Sequence, residues 1–149
     1  MTEQNPSELT DAQAIEYILD HCRSMAVVGL SPNEQRESWR VAQYMQAHGW
    51  HIIPVNPVAA ASGQLILGEP VYASLAAAAQ HQKIDLVNVF RNSPDVPPVV
   101  EEAIALGLPA IWLQLDIIND AAMARARAAG LVAVQNHCIK IQHARQHKR

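Results

Sequence analysis

Met25-Ala-Val-Val-Gly29, continued by Leu30-Ser-Pro-Asn33, is the stretch of sequence that decides the fold. A short apolar run that stops at a glycine is typical of a strand buried on both faces of a sheet. Residues 38–48 then have apolar side chains at helical repeats and end before Gly49, which suits a helix C-cap. A buried strand, a polar turn and a helix in this order predict the opening of a βαβ unit.

Outward from this unit, apolar runs alternate with alanine-rich helical stretches. A first helix begins at Thr10 or Asp11 and ends near Arg23. We predict further strands at 51–55, 86–90, 109–115 and 131–134, helices at 74–82, 94–104, 119–129 and from 139 onward, and a loop at 58–70 with at most a short strand at 65–67. This alternation indicates an α/β fold, a doubly wound parallel sheet of about five strands in a Rossmann-like three-layer sandwich.

The domain organisation follows from the same pattern. We find no linker and no internal repeat, so we expect a single domain over residues 1–149 with flexible ends at 1–9 and 145–149. As a working topology we take the strand order 3-2-1-4-5. A parallel sheet with a short edge also allows a homodimer.

Composition excludes several classes of protein. Half of the 149 residues are hydrophobic, which excludes global disorder, and the net charge of −3 provides no basic field for a nucleic acid. No apolar run is long enough to span a membrane, and residues 1–10 are polar and acidic, unlike a signal peptide. Cys22 and Cys138 lie far apart and show no metal-ligand spacing. We therefore expect a reduced, cytoplasmic protein.

The turn after the first strand is the predicted ligand site, because doubly wound sheets bind ligands beyond the carboxyl ends of their strands. Gly29 leaves the backbone open to a ligand, and the next helix offers free N–H groups that favour phosphate. Ser31 and Ser38 add hydroxyls, and Arg36 adds a bidentate cation. Alternatively, Gly29 only tightens a turn, Ser38 caps the helix and Arg36 is a solvated cation. The pattern is neither a G-x-G-x-x-G fingerprint nor a Walker loop, so ATP hydrolysis is not expected.

The end of the second strand argues against a standard NAD site. NAD-binding domains usually place an acidic residue there to hold the ribose, whereas this chain has Val55-Asn56-Pro57. Asn56 is able to hydrogen-bond a ribose or an adenine edge. It is equally suited to an Asx turn before Pro57.

Six short segments and one arginine, in a fixed order, carry a family resemblance over about 24–145, nearly the whole chain. They are Val28-Gly-Leu-Ser-Pro-Asn33 with Arg36, Ile53-Pro-Val-Asn-Pro57, Leu67-Gly-Glu-Pro-Val-Tyr72, Val89-Phe-Arg91, Ile111-Trp-Leu-Gln-Leu115 and Cys138-Ile-Lys-Ile141. Together they resemble the family of small stand-alone CoA-binding proteins, which is similar to the CoA-binding N-terminal domain of the succinyl-CoA synthetase α subunit.

The resemblance implies a Rossmann-like fold that binds coenzyme A. It assigns the Gly29-Leu30-Ser31 turn, Arg36 and Ser38 to the CoA phosphates, Asn56 and Pro57 to the adenosine end, and Phe90 and Arg91 to the pantetheine arm or the mouth of the cleft. It transfers no catalytic residue.

The chain departs from the family pattern at four positions. Glu37 stands where proline is common and places a negative charge beside the expected phosphate site. Val58 replaces a common lysine, which removes a contact to the ribose 3′-phosphate. Asp116 replaces a frequent glycine, and Gln142 replaces a frequent glutamate.

We find no catalytic constellation in the sequence. Arg91, Asp95, Gln114 and Asp116 follow predicted strands without forming an acid/base pattern, and His143 and His147 share a helix face without a third metal ligand. Cys138 is either a small buried hydrophobe or a thiol placed to form a mixed disulfide with CoA.

The resulting hypothesis is a non-enzymatic module that binds CoA or acyl-CoA and acts as a carrier, a sensor or a partner of a CoA-using enzyme. The alternatives are an NAD(P)-binding Rossmann domain, and an interaction subunit that has lost its ligand.

Overall fold

The structure is a computed structural model and describes residues 8–147. These residues form a five-stranded, all-parallel sheet, which confirms the predicted fold class. The strands are β1 Ser24–Val28, β2 His51–Val55, β3 Leu86–Val89, β4 Ala110–Leu113 and β5 Val132–Val134.

Apart from α3, which is Pro57–Ala61, the helices of the described residues fall close to their predicted positions. They are α1 Asp11–His21, α2 Glu37–Ala47, α3 Pro57–Ala61, α4 Leu75–Ala79, α5 Val96–Ala105, α6 Asp120–Ala128 and α7 Ile139–Gln146, with a 3₁₀ turn at Ser93–Asp95 before α5. None of them is long and apolar enough to cross a membrane. The prediction of a loop at 58–70 was wrong in its first part, because the Asn56 side chain caps α3 there.

The strand order β2-β1-β3-β4-β5 corrects the working topology 3-2-1-4-5. That order would have enclosed β2 between two neighbours. Pro54 of β2 lacks an N–H and therefore belongs in an edge strand, where its missing donor faces away from β1. Among residues 8–147 a single bridge forms on that outer side, and in it the Tyr72 N–H donates to the Pro54 carbonyl at 3.0 Å.

The opposite edge of the sheet, β5, is also partly covered. The Arg127 guanidinium of α6 donates to the Ala133 carbonyl at 3.1 Å. A side chain of the preceding helix thus donates a hydrogen bond to a backbone carbonyl of β5.

Alternation along each strand divides the core between the two faces of the sheet. Met25 and Val27 of β1 pack with α1, α2 and α7, whereas Ala26 and Val28 pack with α4, α5 and α6. Trp112 of β4 is fully buried, and its indole N–H donates to the His137 carbonyl at 2.7 Å. A helical layer on each face of the sheet is the predicted three-layer sandwich.

The ends predicted to be flexible lie partly outside the described residues, which omit 1–7 and 148–149. Within the described part, Leu9 packs against the core, and Arg145 and Gln146 belong to α7.

A buried histidine joins α7 to α2. His143 is 4% exposed, its Nδ1 lies 2.9 Å from the Tyr44 hydroxyl, and the rings of His48 and His147 lie against it. Burial lowers the pKa of His143 below its ordinary 6.5, and the charges of His147, His48 and Arg23 lower it further. The folded state therefore resists protonation at this site.

We expect the protein to lose stability as the pH falls below about 6.5, the pKa that His143 has in the unfolded chain. The unfolded state binds the proton more readily, so this contribution is complete above that pH and declines beneath it. Melting temperatures measured across this range should fall less steeply for His143→Phe than for the parent. His81→Phe, at an exposed position in the turn after α4, should keep the parent slope.

Candidate functional site

The candidate site lies where the chain connections leave β1 and β3 in opposite directions. The Phe90 N–H donates to the Val28 carbonyl at 2.8 Å, and the Gly29 N–H donates to the Val55 carbonyl at 3.0 Å. Gly29 has φ +89°, and a Cβ at this position would lie 2.5 Å from the Phe90 carbonyl oxygen. The neighbouring strand's backbone therefore requires this glycine, whatever ligand approaches it.

The turn between β1 and α2 is held by short side-chain hydrogen bonds. The Ser38 hydroxyl accepts from the Ser31 N–H at 3.1 Å, and the Ser31 hydroxyl accepts from the Asn33 N–H at 3.0 Å. Asn33 in turn accepts from the Gln35 N–H at 2.9 Å. Ser38 is thus a brace across the turn, which corrects the alternative that it caps α2. The turn is preformed.

The N-terminus of α2 has no side-chain cap. Arg36 occupies the N-cap position without a capping hydrogen bond, whereas Thr10, Asn56, Ser74 and Asn119 cap other helices of the described chain. The N–H groups of the first helical turn have no acceptor inside a helix. They combine with the positive end of the helix dipole to favour an anion.

An open cavity of about 310 Å³ lies against this helix end. Its lining residues are Gly29, Ser31, Arg36, Glu37, Ser38 and Phe90. Five of them were predicted from the sequence. Arg36 is exposed and makes no ion pair among the described residues, while Glu37 adds an opposing charge. We call this space the turn cavity.

The structure does not bring the other predicted residues into the turn cavity. Leu30 is fully buried, and its carbonyl accepts from the Asn56 amide at 2.9 Å. Asn56 also accepts from the Val58 and Ala59 N–H groups, which is the turn-forming role considered from the sequence. Pro57 opens α3, and Arg91 is exposed after β3. The Asn56 side chain therefore keeps only one amide hydrogen that is free to bind a ribose.

A second cavity of about 300 Å³ shares Glu37 and Phe90 with the first. Its remaining lining residues come from the segment after β4 and from the start of α7: Gln114, Leu115, Asp116, Ile117, Cys138 and Ile141. We call it the arm cavity. Leu115, Ile117 and Ile141 were missed from the sequence, because their apolar side chains give no sign that distinguishes a cavity wall from core.

A buried amide pair underlies the arm cavity. Asn88 of β3 is fully buried, and its Oδ1 accepts from Gln114 Nε2 at 2.7 Å. Asn88 Nδ2 in turn donates to Met25 Sδ at 3.4 Å. Asn88 was missed, although an amide inside the apolar stretch 86–89 is a usable signal. The pair fixes the Gln114 side chain.

The backbone at the mouth of the arm cavity is left-handed. Asp116 has φ +70° and Asn136 has φ +61°, and the Asp116 N–H donates to Asn136 Oδ1 at 2.9 Å. Asp and Asn tolerate this conformation better than most residues, but glycine adopts it freely. This accounts for the glycine expected at position 116 from the family pattern.

Among the described residues, the remaining histidine, cysteine and carboxylate candidates form no metal centre. Within residues 8–147 no group of three His, Cys, Asp or Glu side chains is arranged to hold a metal ion. His143 and His147 stack on each other instead.

Fold and site together define a doubly wound α/β protein with two neighbouring cavities at the switch point of its sheet. The chain belongs to the CoA-binding domain family, whose model matches residues 23–144. It is similar to the uncharacterized protein YneT of Bacillus subtilis (strain 168), with 37% identity over 141 residues that cover 95% of this chain and 97% of YneT.

Two solved structures share the fold over nearly the whole chain. A hypothetical protein from Pyrococcus horikoshii OT3 has 34% identity and a TM-score of 0.81, covering 97% of this chain and 98% of that one. Prb, the PH1109 protein redesigned for binding, has 31% identity and a TM-score of 0.84, covering 95% of this chain and 94% of that one.

Proposed function

We propose that this protein is a cytoplasmic, non-catalytic module that binds CoA or an acyl-CoA. The observation that supports this most strongly is the turn cavity. Arg36, the uncapped N-terminus of α2 and the turn held by Ser31 and Ser38 all lie at its wall. Such a cavity suits a diphosphate, because backbone N–H groups, a helix dipole and a guanidinium all favour negative charge. Membership in the CoA-binding domain family supports the assignment of this diphosphate to CoA.

The arm cavity supports CoA over NAD(P). A dinucleotide needs a second nucleoside pocket and an acidic or basic selector after β2, and the chain has Asn56 there, already used as a helix cap. The arm cavity instead lies next to the turn cavity, with Glu37 and Phe90 lining both, and most of its lining residues are apolar. That shape suits a narrow chain such as pantetheine.

A thermal-shift panel with CoA, acetyl-CoA, NAD, NADP and ATP tests the proposal. A ligand that binds only the folded state raises the melting temperature by mass action. We expect CoA and acetyl-CoA to raise it and the other three to leave it unchanged at equal concentration. A shift with NAD or NADP alone would favour the dinucleotide alternative, and no shift at all would favour an interaction subunit.

Glu37→Gln should increase the affinity for CoA about three- to fivefold, since it removes a carboxylate that faces the diphosphate. The same change should cost the free protein about 0.5 kcal/mol, because Glu37 opens α2 and complements its dipole. Calorimetric titration measures the first effect and thermal melting the second. Glu34→Gln makes the same charge change outside the turn cavity, so an equal gain there would show that net charge alone is responsible.

The homodimer considered from the sequence stays a proposal. Leu115 and Ile141 are exposed apolar side chains that line the arm cavity. Either a bound acyl group or a second copy would cover them. Sedimentation with and without acyl-CoA separates these two arrangements.

A further inference from the structure

The backbone around Cys138 is fixed from both sides. The carbonyl of His137 accepts from the Trp112 indole at 2.7 Å, and the carbonyl of Cys138 accepts from the Gln142 N–H at 3.0 Å. Cys138 is a free cysteine, 8% exposed, and it lines the arm cavity. Cys138 is therefore a cavity-lining residue whose backbone is held in place by hydrogen bonds on both sides.

Gln114 gives the arm cavity a polar contact point that is independent of Cys138. The residue is 4% exposed, and its Nε2 is used by Asn88. Its carbonyl oxygen Oε1 accepts no hydrogen bond from any of the described residues. No buried side-chain nitrogen or oxygen of the described residues lacks a partner, so this oxygen is open to the arm cavity and offers an acceptor to the N–H of an incoming group. The arm of CoA contains two amide groups before its sulfur, so it brings both a donor for Gln114 and a sulfur atom into the cavity that holds Cys138.

We propose that Cys138 is a thiol–disulfide exchange site that captures CoA from a CoA disulfide. The inference rests on the proposed CoA function and adds to it a covalent, reversible state. Reversible binding at the turn cavity would first place the disulfide near the thiol, since Glu37 and Phe90 are common to both cavities. Proximity of this kind converts a bimolecular exchange into an effectively unimolecular one.

The exchange balances without an added oxidant. Cys138 Sγ gives its proton to solvent and attacks one sulfur of the CoA disulfide. The Sγ–S bond forms, the original S–S bond breaks, and the departing CoA thiolate takes a proton from solvent. One disulfide is replaced by another, and a thiol reductant reverses the modification.

Cys22 provides an internal control. It is 4% exposed beneath the sheet, and its Sγ donates to the Asp85 carbonyl at 3.6 Å. Burial raises the pKa of Cys22 to about 11, with a further contribution from the Asp85 carboxylate. It lines neither cavity and should not react.

The test is the rate at which the folded protein is modified by CoA disulfide and by glutathione disulfide, followed by intact mass and peptide mapping. We expect modification at Cys138, about tenfold or more faster with CoA disulfide because binding precedes exchange. Adenosine 3′,5′-bisphosphate should reduce that advantage by competition. Cys138→Ser should abolish the modification, and Cys22→Ala should retain it.

Equal rates with the two disulfides, or modification at Cys22 rather than Cys138, would overturn the inference. A parallel calorimetric titration with reduced CoA separates the two proposals. Binding of reduced CoA without preferential modification refutes the exchange site and leaves the proposed function standing. Absence of both binding and modification refutes the proposed function itself.

Discussion

Gly29→Ala is expected to lower the free energy of unfolding by about 3 kcal/mol and the melting temperature by about 10 °C. Two penalties combine. The left-handed backbone at φ +89° costs a non-glycine residue about 1–2 kcal/mol. The added Cβ would also lie 2.5 Å from the Phe90 carbonyl oxygen, a backbone atom that moves only if β1 and β3 separate. Because both cavities include Phe90, CoA binding should weaken as well.

Gly49→Ala is the matched control for this substitution. Gly49 has nearly the same φ, +92°, but an added Cβ would meet nothing within 4 Å. Its cost should be the conformational part alone, about 1 kcal/mol or about 3 °C in melting temperature. If denaturant melts give the two variants equal stabilities, the close approach of Phe90 is not what requires the glycine at position 29.

Arg36→Ala should weaken CoA binding about tenfold or more, as expected for the loss of a charge-assisted hydrogen bond to phosphate. The melting temperature of the free protein should change little, because Arg36 is exposed and makes no ion pair among residues 8–147. Calorimetry gives the dissociation constant for CoA and checks the loss of binding. The melting curve of the free protein checks that its stability is unchanged.

Arg40→Ala and Arg91→Ala serve as companions to this variant. Arg40 lies one turn further along α2 and donates to Gln35, outside the turn cavity, so its loss should leave CoA affinity unchanged. Arg91 was assigned to the arm by the family resemblance but lines neither cavity. A tenfold loss in Arg91→Ala would move the binding site toward the segment after β3. Unfolding of free Arg36→Ala would show that Arg36 has a structural role.

The general architecture was accessible from the sequence because strands and helices have different apolar periods. Short apolar runs between polar segments indicated the five strands and the burial of Trp112. They also left the start of α1 between Thr10 and Asp11, and the structure has Thr10 as its cap. Strand order did not follow, because periodicity says which residues are buried and not which strands are neighbours. Pro54 would have placed β2 at an edge of the sheet, because a strand residue without an N–H favours an edge strand.

The candidate site was predicted in its local part and missed in its long-range part. Gly29, Ser31, Arg36 and Ser38 lie within one turn, so the chain itself brings them together. The arm cavity depends on contacts between distant segments, such as Gln114 with Asn88 and Asp116 with Asn136. The roles of Ser38 and Asn56 were also open. The same residue types hydrogen-bond the backbone and bind ligands, so the sequence alone does not distinguish the two roles.

The two borders of the sheet bear on how copies of this protein meet. An exposed border invites ladder-like addition of another chain, the usual route to amyloid-type aggregation. Here Pro54 and the Tyr72 bridge obstruct one border, and the Arg127 guanidinium obstructs the other. Growth of the sheet from copy to copy is therefore disfavoured over the described residues, and any stable pair would have to form through helices or loops. The protein should tolerate high concentration while its ligand cleft stays open to solvent.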